Sequence, residues 1–196
     1  QTLASGERVL SLLAEEPELK DVESAVDLKE VSRIDVENVS FAYGEEQILS
    51  DVSLSVTKGE ILGIHGRSGS GKSTLLKLLM RFYDPKSGSI KINGETLPNI
   101  NTRSLRDNMA YITQQTYIFN ETIEENIRLA RRDATLEEIM EAAKKASIHD
   151  FILSLPEGYQ TKMTELGGNL SDGEKQRIGI ARAFLHNAPV ILLDEP

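Results

Sequence analysis

Residues 66–74 read Gly66-Arg67-Ser68-Gly69-Ser70-Gly71-Lys72-Ser73-Thr74, which fits the pattern G-x-x-x-x-G-K-[ST]. Each residue type has a physical task. The glycines let the backbone curl until successive N–H groups point inward at anionic oxygens. Lys72 has the reach to place an ammonium on the β- and γ-phosphates of a nucleotide, and the Ser73 hydroxyl stands where it would ligate Mg²⁺. The loop runs into Thr74-Leu75-Leu76-Lys77-Leu78-Leu79, apolar at helical spacing. A helix N-terminus there brings about half a positive charge beside a bound anion. On the other side, Glu60-Ile61-Leu62-Gly63-Ile64-His65 reads as a short apolar strand. Strand, glycine loop, helix is the order a phosphate-binding P-loop requires.

The bulk of the sequence agrees with a nucleotide-sized ligand. A chain of 196 residues suits one domain and a short appendage, and 39% hydrophobic with 27% charged residues supports a packed core. The net charge of -9 argues against broad binding to a nucleic-acid backbone, which needs clustered Lys and Arg. A nucleotide needs only a local positive pocket. With no cysteine there is no disulfide, thiolate metal site or cysteine nucleophile. No run approaches the roughly 18 uninterrupted apolar residues of a membrane helix.

Three regions follow one another. Residues 1 to about 16 place Val9, Leu10, Leu12 and Leu13 at near-helical spacing, with Pro17 as a stop. Residues 17 to about 32 carry Glu18, Asp21, Glu23, Asp27 and Glu30 and read as a solvated linker. From Ile34 the pattern alternates as a half-buried strand does (Ile34-Asp35-Val36-Glu37-Asn38-Val39). Ile48-Leu49, Val52–Val56 and Ser89–Ile92 suggest further short strands, with Lys58-Gly59 and Asn93-Gly94 as turns. Residues 122 to 150 are mostly helical, Asp172 to Leu185 is a second clear helix, and Val190-Ile191-Leu192-Leu193 reads as a strand buried on both faces.

Two further groups carry chemistry. Asp194-Glu195 follows the Val190–Leu193 strand directly. In a P-loop fold, an acid there faces the metal and helps hold it, which suits Asp194. Glu195 is placed to polarise an attacking water as general base. Leu170-Ser171-Asp172-Gly173-Glu174 opens the Asp172 helix. Ser171 suits an N-cap with Glu174 completing a capping box, and the same N-terminus is suited to a second anion.

With these residues in this order, the chain resembles the nucleotide-binding domain of the ATP-binding cassette (ABC) transporter family over roughly residues 34–196. Tyr111-Ile112-Thr113-Gln114 resembles its Q-loop, with Gln114 at the Mg²⁺-sensing glutamine, and Tyr43 stands where an adenine-stacking aromatic is expected. Phe119–Ile127 and Thr164-Glu165-Leu166-Gly167-Gly168 resemble exporter segments, and residues 1–17 resemble the tail joining a membrane domain to the cassette. The common signature L-S-G-G-Q is here Leu170-Ser171-Asp172-Gly173-Glu174, with acids at two places. The resemblance implies an α/β P-loop NTPase core, a mostly parallel sheet with flanking helices, together with an antiparallel β subdomain and a helical subdomain over about residues 115–175. It implies residues 1–32 as linker and 33–196 as the cassette. The family continues past Pro196 with a D-loop, another strand and a switch histidine, so the resemblance implies a cassette with its C-terminal part missing, poorly stable or self-associating when isolated.

The implied activity is ATP binding and Mg²⁺-dependent hydrolysis powering export, at the cytoplasmic face of the cell membrane. The implied partners are a second cassette, identical or sister, and a transmembrane domain. Lys72, Gln114 and Glu195 would be catalytic, and Ser73, Gln114 and Asp194 would surround Mg²⁺. Tyr43 and the 66–74 loop would hold ATP, while Leu170–Glu174 would cover the ATP of the opposing cassette. Two alternatives stay open: a soluble ABC ATPase without transport, and a catalytically weak regulatory nucleotide-binding module.

Overall fold

The computed structural model describes Arg8, Leu10, Ser11, Leu13, Ala14 and residues 19–194. Most of the N-terminal helical stretch, Pro17, Glu18 and Glu195 lie outside the described residues.

The first half is a hairpin-built sheet. Strands β1 (Arg33–Tyr43) and β2 (Glu46–Thr57) form a long antiparallel hairpin, and β3 (Ser87–Ile92) and β4 (Glu95–Thr96) complete a sheet of order β2-β1-β3-β4. The Asn93-Gly94 turn has both residues at positive φ, 53° and 86°, as a tight two-residue hairpin demands. Ile48-Leu49 and Val52–Val56, read as separate strands, belong to the single strand β2. Bulges in the β1–β2 register break the two-residue alternation, and Asp51 sits at φ 52°.

Helix α1 (Lys72–Leu79) follows the glycine loop and buries Leu75, Leu76, Leu78 and Leu79 against β1 and β3. A short helix α2 (Thr102–Asp107), N-capped by the Asn101 side chain, leads into β5 (Met109–Ile112). Strand β6 (Val190–Leu193) pairs with β5 in parallel, Tyr111 against Leu192 and Ile112 against Leu193. Met109 and Leu192 join the core shared with α1, while Ala110 and Ile112 pack on Ala183 from the other side. Helices thus cover both faces of β5, the α/β arrangement the resemblance implied, while β6 is covered on the α1 side.

Between β5 and β6 lie α3 (Ile123–Arg128), α4 (Leu136–Lys145), α5 (His149–Ser154) and α6 (Asp172–His186), around a second core that includes Ile123, Ile127, Ile139, Ile152 and Ile178. Thr135 with Glu138 and Ser171 with Glu174 form reciprocal capping boxes at the starts of α4 and α6.

Three expectations are corrected. Glu60–His65 forms no strand: among the described residues no strand pairs with it, and Ile61 is 100% exposed. An apolar pattern supplies the propensity, but a strand exists only through neighbours that take its N–H and C=O groups. The β6 strand is buried on one face only, with Leu192 inside and Ile191 and Leu193 largely open. The acidic segment before Arg33 keeps Glu23, Asp27 and Glu30 exposed, as expected, but is no free linker, being anchored at several points. Asp21 pairs with the Arg81 guanidinium at 2.8 Å, Val26 bridges to Ile100, the Asn108 amide donates to the Leu28 carbonyl, and Val31 is buried. Composition read the charges correctly; Arg81, only 2% exposed, supplies the partner that draws Asp21 in.

Candidate nucleotide site

The glycine loop is backed by β2. Gly71 immediately precedes α1 at φ 88°, and a Cβ there would lie 2.6 Å from Leu49 Cδ2 and 3.2 Å from the Ile48 carbonyl. Only glycine allows both the left-handed backbone and this approach. Within the loop, Ser70 N–H donates to the Arg67 carbonyl at 3.1 Å. The Lys72 ammonium donates to the carbonyls of Gly66 and Arg67 at 3.1 and 3.0 Å, so the cation sits inside the curve of the loop. Ser68, Gly69 and Ser70 are exposed along its rim, whereas Thr74 is turned into the core.

Ser73, on the first turn of α1, donates from Oγ to Asp194 Oδ1 at 2.8 Å across 121 positions of sequence. Asp194 is 8% exposed and continues the parallel ladder, its N–H donating to the Ile112 carbonyl at 3.0 Å. Its second oxygen, Oδ2, accepts from the Tyr111 hydroxyl at 3.2 Å. Burial first, then the Asp194 charge and hydrogen bond, then Tyr43, push the Tyr111 phenol up to about 12. Gln114 lies exposed two residues past the end of β5, and Asp194 one past the end of β6, so parallel pairing puts both at the same end of the strands. Open α/β sheets place ligands at this carboxyl end.

A hydroxyl, a carboxylate and an amide are the hard oxygen donors Mg²⁺ takes. No group of three or more His, Cys, Asp or Glu among the described residues forms a metal cage. That sparse protein ligand set suits a cation shared with substrate phosphates.

Tyr43 ends β1. Its ring meets Phe41 edge-on (4.9 Å, 89°) and Tyr83 edge-on (5.3 Å, 85°), and it remains 37% exposed. Tyr83 and Tyr111 were given no role by sequence reasoning. Tyr83 lies in a loop after α1, and the Tyr111 contact depends on strand register, so neither carries a motif signal.

The Leu170–Glu174 segment belongs to the helical half. Leu170 is buried in the second core, Ser171 and Gly173 are exposed, and the Asp172 side chain is fully exposed. Ser171 Oγ donates to Glu174 Oε2 at 2.8 Å and Ser171 N–H donates to the same oxygen at 2.7 Å. Helix α6 reaches the parallel pair at Gly179, where an added Cβ would stand 3.6 Å from Ile112 Cγ2 and 2.7 Å from Thr116 Oγ1. Ser171 precedes Gly179 by eight residues, about 12 Å along the helix axis. Helix α6 is tied to the segment after Gln114 by Arg182, whose guanidinium donates to the carbonyls of Asn126 and Tyr117 at 2.7 Å each and to Asn126 Oδ1 at 2.9 Å. His149, one of three histidines in the chain, has Nδ1 2.9 Å from the Tyr159 hydroxyl, a satisfied structural contact.

A glycine loop at a helix N-terminus, a lysine within it and a serine–aspartate pair at the carboxyl end of a parallel sheet define a P-loop nucleotide-binding domain. The ABC transporter family matches residues 49–196, and the chain belongs to that family. It is 97% identical over its whole length to a probable ABC transporter ATP-binding/permease protein of Haemophilus influenzae, covering 36% of that protein. It is 48% identical to a putative multidrug export ATP-binding/permease protein of Bacillus subtilis and 44% identical to an ATP-dependent lipid A-core flippase of Syntrophus aciditrophicus, again over the whole chain and 34% and 33% of theirs. A bacterial Atm1-family ABC exporter solved with ATP bound superposes with a TM-score of 0.93 at 40% identity, over 98% of this chain and 34% of that one. The chain thus spans about a third of the length of these relatives. Among the described residues no helix is long and apolar enough to cross a membrane.

Proposed function

We propose that this chain is the ATP-binding and ATP-hydrolysing cassette of an exporter, acting at the cytoplasmic face of a membrane. The observation that carries this is the Ser73–Asp194 contact at 2.8 Å, which joins the glycine loop to the end of the parallel sheet. In this reading the Gly66–Thr74 loop and Lys72 hold the phosphates of ATP and Tyr43 stacks on the adenine. Ser73, Gln114 and Asp194 would hold Mg²⁺. The bound cation would neutralise charge on the β- and γ-phosphate oxygens. Glu195 positions and deprotonates the attacking water. These residues act by orientation and by charge placed before the reaction begins, so loss of one donor is costly.

Ser171 and Gly173, both exposed at the start of α6, serve an opposing cassette, covering the γ-phosphate of its ATP. ATP then joins two cassettes, identical or sister, and hydrolysis parts them, because the joining contacts require the γ-phosphate. Residues 1–32 are the linker from a transmembrane domain and 33–196 the cassette, its helical subdomain at about 115–175. Two relatives support that organisation: each is named an ATP-binding/permease protein, and this chain matches about a third of its length.

Calorimetry tests the binding reading. The full-length protein binds ATP with Mg²⁺-dependent affinity, and Lys72→Ala removes it; an unchanged affinity refutes the phosphate site. In the same protein Glu195→Gln abolishes steady-state hydrolysis while ATP-dependent association of cassettes survives. Retained turnover removes Glu195 from its assigned role.

A further inference from the structure

The buried Asp194 carboxylate is held at both oxygens by donors from different elements. Ser73 Oγ, on α1, donates to Oδ1 at 2.8 Å, and the Tyr111 hydroxyl, on β5, donates to Oδ2 at 3.2 Å. The terminal torsion of an aspartate is broad, so one donor leaves the plane of the carboxylate free to turn. Two donors on separate rigid elements fix it. Each carboxylate oxygen has two lone pairs, and each donor occupies one, so one on each oxygen stays available.

The position of Tyr111 is itself constrained. Its backbone is locked in the β5–β6 ladder opposite Leu192, and its ring lies 6.4 Å from that of Phe82, tilted by 54°. The hydroxyl therefore arrives at Oδ2 from a half-buried ring on a strand, not from a mobile loop. Nothing in a packing role requires the oxygen: phenylalanine would fill the same space.

We infer that Tyr111 is a positioning residue for the metal site, its phenol holding the Asp194 carboxylate so that the remaining lone pairs face a divalent cation on Ser73. This rests on the reading of Ser73 and Asp194 as the cation-binding pair. Outer-shell donors of this kind commonly change metal affinity by about 10- to 100-fold, and one neutral hydrogen bond at 3.2 Å belongs at the low end.

The test is Mn²⁺ binding, followed by electron paramagnetic resonance on the full-length protein saturated with ADP. Tyr111→Phe and Asp194→Asn are each compared with the unsubstituted protein, and ADP affinity is measured in parallel with EDTA present. Tyr111→Phe weakens Mn²⁺ about tenfold and leaves metal-free ADP affinity unchanged. If Asp194→Asn weakens Mn²⁺ and Tyr111→Phe does not, Tyr111 has no positioning role and the inference fails alone. If Tyr111→Phe weakens metal-free ADP binding as much as Mn²⁺ binding, the hydroxyl supports the fold and the inference is overturned. If neither substitution moves Mn²⁺ affinity, the cation-binding reading fails and takes this one with it.

Discussion

The Glu174 carboxylate accepts both donors of Ser171, the backbone N–H at 2.7 Å and the hydroxyl at 2.8 Å, on one oxygen. Those are the donors that the proposed signature role offers to a phosphate of an opposing nucleotide. The capping box therefore keeps an anion where another anion must arrive. Two anions sharing the Ser171 donors lie about 6 Å apart or closer, and at that distance one such charge pair costs roughly 0.7 kcal/mol in water and roughly 2.8 kcal/mol at an effective dielectric of 20. Glu174→Gln retains an acceptor for the cap and removes the charge. The expected outcome is ATP-dependent association tighter by about threefold to hundredfold, by the same arithmetic. Analytical ultracentrifugation of full-length Glu195→Gln protein, with and without Glu174→Gln, measures it. Equal affinities would show that the carboxylate turns away before the cassettes meet.

Gly71 gives a sharper prediction about the loop. Alanine there meets a left-handed φ of 88° and a Cβ 2.6 Å from Leu49 Cδ2. Left-handed backbone costs a non-glycine residue about 1 kcal/mol or more, and the overlap forces β2 away from the loop. Gly71→Ala is expected to lose about 2 kcal/mol of stability and most ATP affinity. Urea unfolding and calorimetry report the two separately. An alanine variant with unaltered ATP affinity would mean the loop does not hold phosphate in this shape.

Local chemistry made some parts legible and left others dark. The glycine loop, the Asn93-Gly94 turn and the Ser171–Glu174 cap could be read directly, because each depends on residues a few positions apart. The buried face of β1 was legible in Ile34 and Val36, but bulges hid the continuity of β2. Asp194 could be placed near Ser73 only through the order of motifs, since no local pattern spans 121 residues. The Tyr111 contact was illegible for the same reason: it follows from the parallel register with β6. The exposure of residues 19–32 was legible in their acidic composition, but their anchoring was not, because composition says nothing of Arg81, which sits 60 positions from Asp21.

Arg182 joins α6 to the stretch following Gln114, and its removal should loosen that junction. The guanidinium serves the carbonyls of Tyr117 and Asn126 and the Asn126 side chain. Burial holds its pKa down to about 10, the mark of a cation placed largely away from water. Asn126, itself fully buried, donates to the Phe119 carbonyl and accepts from the Phe119 N–H. Arg182→Ala leaves the Asn126 carbonyl without this donor, while Asn126 Oδ1 keeps the Phe119 N–H, and should cost about 2 kcal/mol. Arg182→Lys, with a point charge instead of a planar fork, recovers only part of it. Hydrogen exchange at residues 117–126 is the readout. The exchange should rise there first, and protection unchanged in Arg182→Ala would deny the guanidinium this bracing role.

The Asp21–Arg81 pair makes stability depend on pH with a definite sign. The Thr102 hydroxyl and N–H, with Arg81 alongside, hold the Asp21 carboxyl below its ordinary value of 3.8. A carboxyl lowered by folding stabilises the folded state above the unfolded value, and that contribution is lost as pH falls through the folded one. Asp21→Asn keeps a hydrogen-bonding group beside Thr102 but strips the charge facing the buried guanidinium, with Asp84 still 3.5 Å from its Nε. Because the remaining acid offsets part of the loss, about 1–2 kcal/mol is expected at pH 7. The gap between the two proteins should hold down to about pH 4 and narrow below it as the unsubstituted carboxyl takes up its proton. Urea unfolding of both proteins between pH 7 and pH 3 follows this gap. A difference that stays constant across the range would assign the effect to lost hydrogen-bond geometry at Thr102 instead of to the charge on Asp21.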